Sequence, residues 1–160
     1  MAIYMEYNKG SIKGDVTATD HKQWIEISSF QWGVGRAVVG GVGSMANREA
    51  DRPSVSEIVV TKIMDASSPL LCQEDVTTTK GVDVKIEFVR TGNNNKAETY
   101  LKFTLTNTVL SGYSISSGGD RPTETISLNF TKFEYDYSGL KTDGTAGDPN
   151  KFIYDMAAAS

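Results

Sequence analysis

The sequence predicts a mainly β protein: a β-barrel of two packed antiparallel sheets with one short α-helix. Three observations lead there. Apolar and polar residues alternate with period two along most of the chain, the mark of strands with one buried face. One alternating run, residues 97 to 116, is too long for a flat hairpin and implies a strongly bent sheet or barrel. Helix signals are confined to a single stretch.

The first strand is expected over Ala2–Asn8 and the next over Trp24–Gln31. Gly40 to Pro53 reads as a long, flexible, glycine-rich loop with two arginines and two acids at its far end. A strand over Ser56–Met64 follows. DASSPLLCQEDV, residues 65 to 76, is the helix: Ser67 or Ser68 suits the cap and Pro69 the first turn. In residues 82 to 88, Val82, Val84, Ile86 and Phe88 share one face. In the long run, Leu101, Phe103, Leu105, Val109, Tyr113 and Ile115 carry odd numbers and are expected on the buried face. Residues 123 to 138 change parity midway, from Ile126, Leu128 and Phe130 to Phe133, Tyr135 and Tyr137. Either a bulge near Thr131 restores one face, or both faces are covered, one of them by another subunit. From about residue 139 the chain is a turn-rich tail, with a short strand at Lys151–Met156.

A chain of 160 residues fits one domain spanning 1–160, able to bury about 70% of its unfolded surface without staples. A net charge of −4 and a pI near 5.0 exclude the basic stripe a nucleic-acid binder needs. No apolar run approaches the roughly 20 residues of a membrane-spanning helix. MAIYMEYNKG carries neither a basic leader nor an apolar core, so no cleavable secretory signal is expected. With Cys72 as the single cysteine, neither an intrachain disulfide nor a cysteine-based zinc site is expected.

No motif specifies catalysis, a metal or a cofactor. Gly33 and Gly35 begin a dinucleotide fingerprint, but Val38 stands at its third glycine; Gly35 and Gly40 have P-loop spacing without the lysine. His21, the only histidine, follows Thr19-Asp20 and reads as a residue of a turn before a strand rather than as a base. The closest approach to a nucleophile elbow, Gly112 to Ser116, ends in serine inside a strand pattern. Trp24 and Trp32 have even numbers on one expected strand and would share a face with Phe30, for packing rather than ligand stacking. Carboxylates alternate with lysines along the strands, as on a solvated face.

Four segments in succession carry a resemblance: IKGDVTATDHKQWIEISSFQWGVGR, EIVVTKIMDASSPLL, YLKFTLTNTVLSGYSIS and RPTETISLNFTKFEYDY. Their order is similar to that of the haemolysin-coregulated protein (Hcp) family, the tube-forming subunit of bacterial type VI secretion. The most specific pieces are Thr61-Lys62, Asp65 and Ser68-Pro69, and Arg121-Pro122-Thr123-Glu124 leading into Ile126 to Phe130.

The resemblance implies a non-enzymatic, cofactor-free structural protein. Six copies form a ring with a wide channel, and rings stack into a tube similar to a phage tail tube. A contractile sheath drives that tube, which a spike caps. Members are made in the cytoplasm and exported by the apparatus itself, and some carry effector proteins in the channel. On this reading Ser29 and Gln31 face the lumen, while Arg48, Glu49, Asp51 and Arg52 belong to a ring-stacking loop. The competing expectation is a monomeric β-barrel binding a small apolar ligand in its interior.

Overall fold

The computed structural model describes residues 1–39, 49–50, 52–92, 95–140 and 146–160. In chain order the strands are β1 (Ala2–Tyr7), β2 (Ile25–Ile27), β3 (Ser29–Gln31), β4 (Val34–Gly35), β5 (Val38–Val39), β6 (Glu49–Ala50), β7 (Ser54–Val55) and β8 (Ile58–Ile63). After helix α1 (Ser68–Thr77) come β9 (Val82–Thr91), β10 (Ala97–Ser116), β11 (Thr123–Asn129), β12 (Lys132–Leu140) and β13 (Ala146–Asp155). Every pairing is antiparallel, in the order β2-β1-β9-β10-β11-β8-β3, with β12 on β10 and β13 on β12.

Two antiparallel sheets and one helix are as expected, but the barrel does not close as one ladder. Its ends, β2 and β3, are successive pieces of one stretch broken at Ser28, whose amide donates to the Thr61 carbonyl at 2.7 Å. At that break the inward parity flips. Ile25 and Ile27 are buried before it, whereas Phe30 and Trp32 pack against the core after it. Trp24 therefore does not share their face; it stands edge-on to His21, with ring centroids 4.7 Å apart.

Strand β10 joins the two sheets. Its first half lies between β9 and β12, and its second half pairs with β11. The transition is a bulge at Asn107, held at φ 55°. Gly81 faces it so closely that a Cβ there would stand 2.7 Å from the Asn107 Cα. The bulge reverses parity: Phe103 and Leu105 are buried before it, Thr108 and Leu110 after it. The expected single odd face thus fails at Val109; a second irregularity between Leu110 and Gly112 restores it, so Tyr113 packs against the core and Ile115, opposite Glu124, is 51% exposed near the strand's end. The opposing chain switches at the level of Asn107, where Phe130-Thr131 separates β11 from β12. Both switches are one event, the bend that carries the chain from sheet to sheet.

The core between the sheets is filled by Met5, Ile25, Ile58, Val60, Ile86, Leu105, Ile126 and Leu128, all 0% exposed. Each such side chain contributes roughly 1.5–3 kcal/mol by leaving water. Helix α1 begins at Ser68 with Ser67 in the cap position and Pro69 in the first turn, as its sequence suggests. Its start is organised not by a serine side-chain cap but by Asp65, whose carboxylate accepts from the Ser67 amide at 2.9 Å. Only Ser68 and Leu71 of the helix are buried. Its far end is tied by Glu74, which accepts hydrogen bonds from the Tyr7 hydroxyl (3.1 Å) and the Thr78 hydroxyl (2.8 Å).

Burial, then the Glu74 carboxylate, pushes the ionisation of Tyr7 above its ordinary value of 10.0. Burial, then the hydrogen bond to Glu124, does the same for Tyr113. Both folded values are raised, so their stabilising contribution is complete below the unfolded value of about 10 and is lost as pH climbs toward the folded ones. Urea midpoints should therefore fall between about pH 9 and about pH 11. Tyr7→Phe with Tyr113→Phe should flatten that fall, and an unchanged slope would disprove the attribution.

The tail expected from residue 139 is largely strand: Gly139 and Leu140 complete β12, and Ala146–Asp155 form β13. Pro149 is accommodated because β13 is an edge strand.

Candidate functional surfaces: an uncharged sheet face and a hairpin arm

The sheet β3-β8-β11 with the second half of β10 turns an unusual face outward. Cross-strand register places Ser29, Thr61, Thr125 and Ser114 in one row. Gln31, Val59, Ser127 and Gly112 form the next row, and Ile63, Thr123 and Ser116 form a third. None of these side chains ionises. Ser29 and Thr61 hydrogen-bond to each other through their hydroxyls. Ser29 and Gln31, singled out from the sequence, are exposed and on this one face. The rest of the row was not singled out, because Thr61, Thr125 and Ser114 join Ser29 only through pairing across strands.

Both lateral edges of this four-stranded sheet are open among the described residues. Strand β3 pairs only with β8, and β10 beyond Thr108 pairs only with β11. Such edges offer unpaired amide and carbonyl groups to another chain.

The expected loop at 40–53 is in part a hairpin. After Ser29–Gln31 pair with Val59–Thr61, Val34 and Gly35 pair with Val55 and Ser54, and Val38 and Val39 pair with Ala50 and Glu49. The sum of paired residue numbers drops from 90 to 89 to 88, one slip at each step, so the ladder twists as it runs outward. Val34 and Val38 are 53% and 56% exposed: the arm is not packed into the core. Of the four proposed stacking residues, Glu49 lies in β6 and Arg52 is exposed between β6 and β7. Arg48 and Asp51 lie outside the described residues. At the arm's base, Trp32, Val55, Phe133, Tyr135 and Phe152 line an apolar groove of about 350 Å³.

His21 is structural in its contacts. It is 4% exposed, beneath Tyr4 and Trp24, with Nε2 at 2.5 Å from the Glu87 carboxylate. The nearby Thr99 hydroxyl donates to Glu87 (3.1 Å), not to the imidazole, so this cluster contains no paired nucleophile and base. Among the described residues no three His, Cys, Asp or Glu side chains converge as metal ligands. Among the described residues, no helix is long and apolar enough to cross a membrane.

Lys62 and Glu124 depart most from the sequence reading. Both are 0% exposed rather than on a solvated face. The Lys62 ammonium donates to Glu124 at 2.6 Å, Asp65 at 2.9 Å and Ser68 at 3.1 Å. The Tyr113 hydroxyl donates to the other Glu124 oxygen at 2.7 Å. Parity was the available signal: Lys62 follows Ile58 and Val60, and Glu124 precedes Ile126 and Leu128, on the inward side of their strands.

Comparison with known proteins places this architecture. Residues 4–137 match the family model described as type VI secretion system effector, Hcp. The protein hcp1 of Pseudomonas aeruginosa is 31% identical over 159 residues, covering 98% of this chain and 96% of that one. A solved structure of a type six secretion system protein superposes with a TM-score of 0.88 at 24% identity, covering 99% and 98% of the two chains. Hcp1 from Salmonella typhimurium gives 0.73 at 21% identity, over 98% of this chain and 95% of that one. With its two bent antiparallel sheets, single helix and family match over most of its length, the chain belongs to the Hcp family of type VI secretion.

Proposed function

We propose that the protein is the tube subunit of a type VI apparatus: six copies join into a ring, and rings stack into a tube that a sheath drives and a spike caps. The observation that carries this reading is the four-stranded sheet with two open edges and an outward face whose three rows from Ile63 to Gly112 hold no ionisable side chain, Glu57 standing at its margin. Pairing the β10 edge of one copy with the β3 edge of the next is a head-to-tail contact, which closes into a ring when the rotation is right. The hydroxyl-rich face then lines the bore. A wall of mostly small, neutral side chains, with the Glu57 carboxylate at its margin, holds effector proteins weakly and lets them pass. The protein acts mechanically, with no catalytic step and no cofactor. It is made in the cytoplasm and exported by the apparatus without a cleaved signal.

Light scattering on the purified protein should give about six times the 17.4 kDa chain mass, and negative-stain images should show hollow annuli. A lone chain at high concentration would end the proposal. Gln31→Arg should leave the annuli intact and lower effector retention; broken rings would instead place residue 31 at the subunit contact. A second reading, a small apolar ligand, is favoured by the groove beside Trp32 and Phe152 rather than by the interior, which side chains fill. It requires a chain that stays monomeric in the same scattering experiment.

A further inference from the structure

The two stretches that most distinguish this sequence, Thr61 to Pro69 and Arg121 to Phe130, meet in the buried Lys62 network. Within the ladder, Lys62 is paired directly opposite Glu124, Val60 opposite Ile126 and Ile58 opposite Leu128. Alternation of period two fixes which face each side chain takes, but it does not fix the alignment completely. A slip of one residue would turn the apolar set outward; a slip of two would leave every apolar residue facing in. Sliding β8 by two residues along β11 would set Val60 against Leu128 and Lys62 against Ile126, with the apolar faces intact.

The network does distinguish these alignments. In the observed register all three ammonium protons of Lys62 have acceptors, and both Glu124 oxygens are engaged. The same acceptors tie the corner to α1: Ser68 Oγ also accepts from the Asp65 amide at 3.0 Å, and Asp65 accepts from the Ser67 amide and hydroxyl. The Met64 amide donates to the Pro122 carbonyl at 3.0 Å, one step beyond the paired strands. A slip of two would leave an ammonium and a carboxylate buried apart, and no other acceptor lies opposite.

We infer that the Lys62–Glu124–Tyr113 network is a register key: it selects one of two strand alignments that the apolar pattern leaves equivalent, and through Asp65 and Ser68 it sets where α1 begins. Buried ion pairs of this kind serve alignment better than they serve stability, since apolar side chains of equal volume usually stabilise as well or better. The inference concerns the lone chain and holds whatever that chain assembles into.

Cross-linking reads the register directly. In a Cys72→Ser background, Thr61→Cys with Thr125→Cys reports the observed alignment, because these residues are directly paired. Thr61→Cys with Ser127→Cys reports the slip of two; in the observed alignment those positions are diagonal neighbours about 7–8 Å apart, beyond easy disulfide reach. With the network intact, oxidation should link 61 to 125 and leave 61 to 127 nearly unlinked. The variant Lys62→Met, Glu124→Leu, Tyr113→Phe removes the key while Asp65 keeps its Ser67 donors. It should unfold cooperatively and raise the 61-to-127 link by about tenfold or more, the equivalent of one logarithmic step in the alignment equilibrium. The inference is overturned if that variant links only 61 to 125. It is equally overturned if the variant no longer folds cooperatively, for then the network supplies stability rather than alignment.

Discussion

Lys62→Met alone lowers the free energy of unfolding by about 3–5 kcal/mol, a large share of the 5–15 kcal/mol that holds a domain of this size together. The loss comes from what is left behind. Glu124, 0% exposed, keeps only the Tyr113 hydroxyl, and the acceptors Asp65 and Ser68 lose the same partner. A buried carboxylate without its cation costs far more than the lost contact. The exposed pair Lys151–Glu134 is the internal control. Its side chains are 48% and 27% exposed, and Lys151→Met should change stability by less than about 1 kcal/mol. Urea unfolding at one fixed protein concentration measures both, because association would otherwise add to the apparent stability. Equal, small effects for the two lysines would mean that Lys62 reaches water in solution.

This single substitution and the triple variant that removes the whole network should move in opposite senses. One leaves a charge stranded, and the other removes charges and hydroxyl together. Stability and alignment are thereby separated in one small set of proteins. A network that acted only as a staple would lose in both.

Much of this was legible in the sequence, because period two is a geometric property of strands. The longer strands and the inward residues of β8, β9 and β11 follow from alternation, and the helix from its Ser-Ser-Pro start. What alternation does not carry is the position of its own interruptions. Asn107 at φ 55° and the break at Ser28 each flip the parity, and no local composition marks either. Val109 was therefore assigned to the face that Thr108 and Leu110 take, until a second irregularity after Leu110 returns Tyr113 and Ile115 to the inward side. The second half of β13 was expected at Lys151–Met156, but its first half, Ala146 to Asn150, was hidden behind turn-forming residues, since an edge strand tolerates a proline that a central one would not. The uncharged face was half legible: Ser29 and Gln31 are neighbours in sequence, whereas Thr61, Thr125 and Ser114 join them only through pairing across four strands.

Shortening the hairpin arm should abolish ring stacking while leaving the fold and the rings themselves unchanged. Val38 is paired with Ala50, so residues 39 to 49 can be replaced by Asn-Gly, a two-residue turn whose twist suits an antiparallel ladder. The join is made at Val38, which is 56% exposed and so lies outside the core. The urea midpoint should accordingly stay within the range of ordinary surface substitutions, about 0.5 kcal/mol. In the proposed assembly the ring closes through the edges of β3 and β10, which the deletion does not touch. Stacking has different requirements. A contact along the tube axis needs a part of the protomer that extends beyond its sheet, and the arm does so with Val34 and Val38 uncovered and Arg52 exposed near its base. Negative-stain images at rising concentration should show full-length rings joining into stacks, and shortened ones remaining single annuli. If shortened rings stacked equally well, the axial contact would have to lie on the barrel, and the exposed valines of the arm would need another partner to explain them.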